Sequence, residues 1–367
     1  MVFDAHRNEL YAKAIRELTT PESVVLDLGA GLGIHGLIAA AANVKKVYLV
    51  EPESVIRLAL EVAKANGLAD RVEVFEAPVE QISLPEPVDL IVSVFTGDLL
   101  YSEDLLPSLF YARDRYLRPG GRMVPDRAEL VLVPVSAPAI HEKYIACWAQ
   151  PGGGIDFSSV RRFAANDIYW LRREESKTDF LAEPAVVSSL DLMTSTDADC
   201  NGKAGVRVHH TGLCHGLMAW IKMRLGQAWL STSPDAPEVH WSPVFLPLDP
   251  PVELQAGEEI ILGLNRPAGG DWTWTLEGQS GTRRHSSFLS RPDGPERLKK
   301  FAPDYRPALG QDGELALQAL TMMRESNSNR DIAQALLQTH PGRFNELDAA
   351  MQYVQSLVKR FARGGGV

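Results

Sequence analysis

Residues 24–33 read Val-Val-Leu-Asp-Leu-Gly-Ala-Gly-Leu-Gly, and this stretch indicates the architecture of the N-terminal part of the chain. An apolar run that leads into three alternating glycines is typical of a buried parallel strand followed by a tight turn into a helix. Glycines at such a turn let a ligand approach the backbone, and the N-terminus of the next helix points towards that ligand. We therefore predict a nucleotide-type site here, with its ligand-binding residues at Asp27, Gly29, Gly31 and Gly33.

The alternation of strands and helices continues after this turn. Further apolar runs lie at residues 47–50, 72–75 and 88–92, and residues 54–66 have the apolar spacing of a helix. Strand and helix in this order indicate an α/β fold with an open, doubly wound parallel sheet. We expect this Rossmann-like domain to cover residues 1–125.

An acidic residue narrows the choice of ligand. Glu51 follows the second apolar run, 18 residues after Gly33, where a carboxylate accepts hydrogen bonds from ribose hydroxyls. A dinucleotide fingerprint, GxGxxG, requires glycine at position 34, but this chain has Ile34 there. The pattern GxGxG preceded by Asp27 is typical of S-adenosylmethionine sites, so S-adenosyl-L-methionine is the predicted cofactor. A dinucleotide and a degenerate site that binds nothing are the alternatives.

Beyond residue 125 the chain changes to longer strands separated by proline and glycine turns. The stretch AELVLVPVSA at residues 128–137 begins this region, and several later stretches alternate in the same way, as expected for an antiparallel β-barrel or sandwich. We expect the β-barrel domain to cover residues 126–295. A charged, aromatic segment at about residues 155–183 interrupts it and predicts a projecting helical arm. Residues 300–367 predict a C-terminal appendage of three helices.

Composition excludes several classes of function. Hydrophobic residues make up 45% and charged residues 23% of the 367 residues, which is ordinary for a globular protein and unlike a disordered chain. Lys+Arg 37 against Asp+Glu 47 gives a net charge of −10, which disfavours binding to nucleic acid or to an anionic membrane through basic surface. No membrane span, signal peptide or cysteine-based metal site is apparent. We expect a cytoplasmic protein without a metal.

Further motifs, spread in order over both predicted domains, carry a family resemblance. They are Asp4 with Arg7 and Tyr11, VLDLGAGLGI (25–34), VEQISLP (79–85), LFYARDRYLRPGG (109–121), VPDRAEL (124–130), STSP (231–234), His240-Trp241 and GEEI (257–260). Over about residues 3–290 the chain resembles the protein arginine methyltransferase family, as a divergent member. The resemblance implies an S-adenosylmethionine-dependent N-methyltransferase that acts on arginine in a protein, in a peptide or as the free amino acid.

The resemblance also implies roles for residues that bind the methyl donor. Arg7 would pair with the carboxylate of the methionyl group, and Glu51 would hold the ribose. Glu80 would contact the adenine amino group, and Val79 would supply a backbone contact.

On the acceptor side, the resemblance implies that Asp4 and His240 form a pair beside the reacting centre, where the two domains meet. Glu103 would orient and polarise the acceptor, as one of two glutamates in the substrate loop of the family. The arm would form a homodimer.

One position departs from the family pattern. The first of the two glutamates belongs to a Ser-Glu-x-x-Gly stretch, and here that position is Val94. Two carboxylates clamp a planar guanidinium and offset its charge, so the loss of one leaves three hypotheses open. The site binds a guanidinium more weakly or in another orientation, or it serves another nucleophile such as a small-molecule amine or hydroxyl, or the protein is a cofactor-binding scaffold. Asp98 is a candidate substitute from a different direction.

The C-terminal helices lie outside the resemblance. Residues 301–367 hold seven Lys+Arg and seven Asp+Glu, so no basic face for DNA is evident. A peptide-clasping module, a helix-turn-helix and a packing or oligomerisation appendage are the alternatives for this region.

Overall fold

The computed structural model describes residues 2–294 and 298–362. The chain divides into two compact units, Met1–Pro292 and Asp293–Val367. Within the described residues, no helix combines the length and the apolar character that crossing a membrane requires. The first unit contains the doubly wound domain and the antiparallel domain that the sequence predicts, and this fold class is confirmed.

The N-terminal part of the first unit is a parallel sheet with helices. Its strands are β1 Val24–Leu28, β2 Lys46–Val50, β3 Val72–Phe75, β4 Val88–Ser93 and β5 Leu117–Val124, and its helices are α1 Ala5–Leu18, α2 Ile34–Ala41, α3 Ile56–Ala65 and α4 Leu106–Tyr116. The strand order is β3-β2-β1-β4-β5, and every pairing is parallel. The order reverses between β1 and β4, and ligands of such sheets bind outside the carboxyl ends of the strands at this switch point.

The local sequence explains the elements around the switch point. All five residues of β1 are buried, as expected for a strand covered by helices on both faces. Helix α2 starts immediately after the glycines, with Gly33 as its N-cap. Helix α1 begins after Asp4, whose side chain caps it by accepting a hydrogen bond from the Arg7 amide at 3.1 Å, which is a favoured N-cap arrangement.

The second part of the first unit consists of antiparallel sheets. Its elements are β6 Arg127–Ser136, α5 Pro138–Tyr144, α6 Arg161–Ala164, β7 Tyr169–Trp170, β8 Asp179–Phe180, β9 Ala185–Asp191, β10 Cys200–Arg207, β11 Gly212–Leu225, β12 Ala228–Ser231, β13 Val244–Leu254, β14 Glu259–Arg266, β15 Thr273–Gly278 and β16 Gly281–Ser286. One sheet has the order β7-β13-β11-β6-β8, with β12 on β11 and β9 on β6, and the other has the order β10-β14-β15-β16. Buried residues of both sheets and of the parallel sheet form one hydrophobic cluster.

The insertion between β6 and β9 differs from the predicted helical arm at 155–183. Its helices, α5 and α6, end at Ala164, and the later part returns to the barrel, where β7 pairs with β13 and β8 pairs with β6. The later part of the insertion returns because its apolar side chains are buried: Ile168, Leu171 and Leu181 lie in the hydrophobic cores of this unit. Only the first half of the segment is therefore helical.

The second unit contains the three helices expected from the sequence. They are α7 Gln311–Arg324, α8 Asn329–Thr339 and α9 Leu347–Phe361. Their apolar faces form a separate core that includes Leu315, Ile332 and Val354. Ser328 caps α8 by accepting a hydrogen bond from the Asp331 amide at 3.2 Å.

Candidate active site

Two loops leave neighbouring strands at the switch point and contact each other. The glycine turn (residues 29–33) follows β1, and the β4 loop (residues 94–105) follows β4. The strands are paired with Leu28 opposite Ser93. The ring of Phe95 lies on Gly29 so closely that a Cβ at that glycine would come within 2.2 Å of it. The predicted donor turn and the predicted acceptor loop therefore form one site.

The glycine turn has the geometry that the sequence predicts. Gly29, Gly31 and Gly33 all have positive φ, at +70°, +52° and +77°, a region that residues with a Cβ rarely adopt. The Gly31 amide donates to Glu51 Oε2 at 3.0 Å. Glu51 thus lies directly against the turn, at the end of β2, as expected for a residue that holds a ribose there.

Asp27 is buried beneath this turn. Its Oδ2 atom accepts a hydrogen bond from the Gly36 amide at 2.7 Å, so the carboxyl group ties the end of β1 to the first turn of α2. Burial, with a smaller contribution from the charge of Glu51, raises the pKa of Asp27 to about 7, although the hydrogen bond from Gly36 acts in the opposite direction. The structure thus gives Asp27 a role in shaping the turn.

Helix α1 covers the same region with aromatic and cationic groups. The Tyr11 hydroxyl donates to the Ser93 carbonyl at 3.0 Å, and the Tyr11 ring stacks on His35 with 4.3 Å between centroids. The Arg7 guanidinium is 1% exposed and lies 5.3 Å from the centre of the Trp241 ring. Arg7 thus contacts the barrel while it lies on the α/β domain.

His35 has a buried atom that is available to a ligand. Its Nε2 atom has no hydrogen-bond partner among the described residues, whereas buried polar groups are usually paired. Burial, together with the positive charge of Arg7, lowers the pKa of His35 to about 3, so the imidazole is neutral. This orphaned atom beside the glycine turn fits a ligand with polar groups, such as the methionyl part of the predicted donor.

Asp4 and His240 come together through the backbone. Asp4 Oδ2 accepts a hydrogen bond from the His240 amide at 2.7 Å, and its other oxygen accepts from the Arg7 amide. The residue His240 is exposed. The predicted link between the nucleotide domain and the barrel therefore exists, and the histidine contributes its amide to it.

Val79 and Glu80 lie on a single 3₁₀ turn, Val79–Gln81, between β3 and β4. Val79 is buried, and Glu80 Oε1 accepts a hydrogen bond from the Ser108 hydroxyl at 2.5 Å. Ser108 belongs to α4, which follows the β4 loop. The predicted adenine-contacting residues therefore lie beside that helix.

The β4 loop has an unusual backbone. Gly97, Leu100 and Asp104 all have positive φ, at +49°, +59° and +55°. For residues with side chains this conformation is costly, and it persists where the surrounding structure enforces it, often at functional sites. The barrel enforces it here, because both terminal guanidinium nitrogens of Arg266 donate to the carboxylate of Asp104 at 2.7 Å.

Two neighbouring carboxylates lie in the β4 loop, with Asp98 partly buried and Glu103 exposed. Glu103 rests on Gly97, where a Cβ would come within 2.9 Å of Glu103 Oε1. Asp98 Oδ1 accepts a hydrogen bond from the Ser242 amide at 2.7 Å. Partial desolvation of the carboxyl group, and secondly the charge of Asp98, raises the pKa of Glu103. The predicted residue Glu103 is thus accompanied by a second acidic group in the same loop.

Comparisons with known proteins agree with this arrangement. The family model described as arginine methyltransferase oligomerization subdomain matches residues 126–269, and the model described as methyltransferase domain matches residues 25–121. Protein arginine N-methyltransferase 6 of Xenopus tropicalis is 34% identical over 275 residues, which cover 71% of this chain and 80% of that protein. Protein arginine N-methyltransferase 2 of the same species is 32% identical over 277 residues, which cover 71% and 63%.

A solved structure supports the same relationship. The structure of the Trypanosoma brucei PRMT1 enzyme-prozyme heterotetrameric complex with AdoHcy has a TM-score of 0.70 and 26% identity, over 78% of this chain and 96% of that chain. Relatives with the same family name thus match most of this chain in sequence, and a solved structure matches it in fold. The chain belongs to the protein arginine N-methyltransferase family.

Proposed function

We propose that this protein is an S-adenosylmethionine-dependent N-methyltransferase that methylates an arginine guanidinium, in a protein, in a peptide or as the free amino acid. The observation that carries the proposal is the Glu103 carboxylate, whose pKa is raised by partial desolvation, in a loop whose Phe95 lies on the glycine turn. A guanidinium is a planar cation with N–H groups that match a carboxylate, and a partly desolvated carboxylate attracts it strongly.

The donor side of the site is suited to S-adenosylmethionine. Glu51 would accept hydrogen bonds from the ribose hydroxyls, and Arg7 would pair with the methionyl carboxylate, with the neutral His35 beside it. Val79 and Glu80 would contact the adenine. When bound, S-adenosylmethionine supplies a methyl group on a sulfonium, and this methyl group passes to an acceptor nitrogen as a neutral thioether leaves.

The chain's own groups would act by position and by charge. Glu103 would hold the guanidinium so that one nitrogen faces the methyl group, and its negative charge would offset the positive charge of the acceptor. The methylated nitrogen gives up one proton, so the product guanidinium keeps a single positive charge. Asp4 and the His240 amide would keep the barrel segment and α1 in place around this centre.

A transfer assay with a labelled methyl group tests the function. We expect label on an arginine peptide or on free arginine, and none on the matched citrulline peptide, which lacks the cation. Label on small amines or hydroxyls alone would contradict arginine as the acceptor. Donor binding without transfer to any acceptor, including a cell extract, would contradict an enzyme and favour a scaffold.

A second measurement concerns Val94. We expect Val94→Glu to leave transfer to arginine peptides equal or lower, because the wild-type loop already serves this acceptor. A clear increase in that transfer would indicate that the wild-type pocket serves a different nucleophile. Donor affinity, measured by calorimetry, is the control for correct folding of this variant.

The protein would also assemble as a homodimer through the insertion between β6 and β9. Ile155 and Phe157 of this insertion are 61% and 40% exposed, and Leu58 on α3 is 56% exposed. Exposed apolar side chains of this size favour association of two copies of the chain. In a two-fold symmetric dimer, the insertion of each copy would cover α3 of the other. Sedimentation of wild type and of Ile155→Asp tests this, and equal monomer masses for both would contradict it. The cytoplasmic location stays a prediction from the sequence.

A further inference from the structure

The position at which the family pattern has its first loop glutamate cannot supply charge in this chain. Val94 is partly buried and packs against the main hydrophobic cluster. If the acceptor is a guanidinium, as proposed above, a single carboxylate at Glu103 would have to hold it. A second carboxylate would have to reach the same place from another position in the chain.

Asp98 is held in a defined position between three parts of the molecule. It belongs to the β4 loop, its Oδ1 atom accepts from the Ser242 amide at 2.7 Å, and the Trp170 side chain lies close enough to favour its charged form. Ser242 lies two residues after His240, next to the pair with Asp4, and Trp170 lies on β7 of the insertion. A carboxylate has about four acceptor positions, so Asp98 retains capacity for a ligand.

Asp98 is also close to Glu103. The Glu103 carboxylate rests on Gly97, the residue immediately before Asp98. The charge of Asp98 also acts on Glu103, whose pKa it raises together with partial desolvation. The Glu103 carboxylate thus lies against the backbone segment that carries Asp98.

Such a pair is unfavourable without a cation. Two like charges in a partly desolvated place repel each other, and a cation between them removes that repulsion. Within the described residues, no lysine or arginine forms an ion pair with Asp98 or Glu103, and the nearby Arg266 is paired with Asp104 instead. His240 is the basic group that acts on Asp98.

We propose that Asp98 and Glu103 together form the acceptor-binding acidic pair, with Asp98 as the carboxylate that replaces the one missing at position 94. Asp98 would receive guanidinium N–H groups through the oxygen positions that the Ser242 amide leaves open. Because Asp98 approaches from the side of the barrel, the guanidinium would lie in a different orientation from one held by a side chain at position 94. This inference rests on the proposed function for the nature of the acceptor.

The test compares binding of an arginine peptide with binding of its citrulline analogue, which has the same shape and no charge. Both peptides are titrated into the full chain saturated with S-adenosylhomocysteine. The variants are Asp98→Asn, which keeps an oxygen for the Ser242 amide, and Asp70→Asn, an exposed control that removes the same charge. We expect wild type and the control to prefer the arginine peptide, and we expect Asp98→Asn to reduce that preference at least fivefold.

A smaller reduction, or a wild-type protein with no preference for the arginine peptide, overturns the proposal. Affinity for S-adenosylhomocysteine alone verifies that each variant is folded, and Asp98→Ser replaces Asp98→Asn if the latter is not. Since the readout is binding, it is independent of turnover. A wild type that prefers the arginine peptide but transfers no methyl group contradicts the proposed function and leaves the inference on Asp98 supported.

Discussion

The glycine turn and the β4 loop lie side by side, yet they are built from different kinds of contact. The turn is held by residues near in sequence, since Asp27 binds the amide nine residues later and Glu51 binds the amide twenty residues earlier. The β4 loop is held by distant residues, with separations of 144 residues between Asp98 and Ser242 and 162 between Asp104 and Arg266. The comparison shows that the donor half of the site follows from a local motif, whereas the acceptor half depends on the barrel.

The largest effect is expected from the acceptor half. Glu103→Gln keeps the size of the side chain and removes its charge, so turnover should fall at least about 100-fold, as for the loss of a key electrostatic group in other enzymes. Affinity for S-adenosylmethionine should stay within about threefold, because the glycine turn is unchanged. Glu61→Gln, on the exposed face of α3, is the control. Unchanged turnover would remove Glu103 from the mechanism.

A change in the donor half should instead weaken the binding of the methyl donor. Glu51→Ala removes a charged acceptor at the turn, and loss of such hydrogen bonds costs about 2 kcal/mol, or about 30-fold in affinity. We expect this loss in the calorimetric binding of S-adenosylmethionine. Glu53→Ala, at an exposed acidic residue two positions later, is the matched control. If both variants bind S-adenosylmethionine with equal affinity, Glu51 does not bind the ribose.

Two glycines allow the effect of backbone strain to be measured separately from the effect of steric crowding at Glu103. Gly97 and Gly67 both have positive φ, but only at Gly97 would a Cβ meet Glu103, since nothing lies within 4 Å of a Cβ at Gly67. Each change to alanine should lower the free energy of unfolding by about 1–2 kcal/mol, because of the left-handed backbone. Only Gly97→Ala should also lower kcat/KM for an arginine peptide, by about tenfold through misplacement of Glu103. Similar kinetics of both variants would contradict this role of Gly97.

The smallest effect concerns pH. Partial desolvation and the charge of Asp98 raise the pKa of Glu103, so activity that needs this carboxylate ionised should decline, as pH falls, at a higher pH than an ordinary glutamate would give. In Asp98→Asn the charge contribution is absent, and the acidic limb of kcat/KM should move to lower pH. If the acidic limb of kcat/KM in Asp98→Asn stays in place or moves to higher pH, the two carboxylates do not interact. The Asp70→Asn variant gives the reference profile.

Sequence patterns gave good guidance where a short stretch specifies its own structure. The buried run of β1, the glycine turn, the acid at Glu51 and the C-terminal helices all follow from local spacing of apolar, glycine and capping residues. The helix predicted over 54–66 spans Ile56–Ala65, a difference that arises because helix ends are weakly specified. The insertion was predicted less well, since burial of Ile168 and Leu171 returned its second half to the barrel.

What residue order alone established about this protein is its fold class and its family, and it also predicted the conformation of the glycine turn, because contacts between near neighbours depend on the spacing of residues in a short segment. The neighbours of Asp98, the amide role of His240 and the orphaned Nε2 atom of His35 became visible in the folded chain alone. Ser242 and Asp4, the hydrogen-bond partners of Asp98 and His240, lie 144 and 236 residues away from them, and packing of the whole barrel against the sheet determines which of these groups meet.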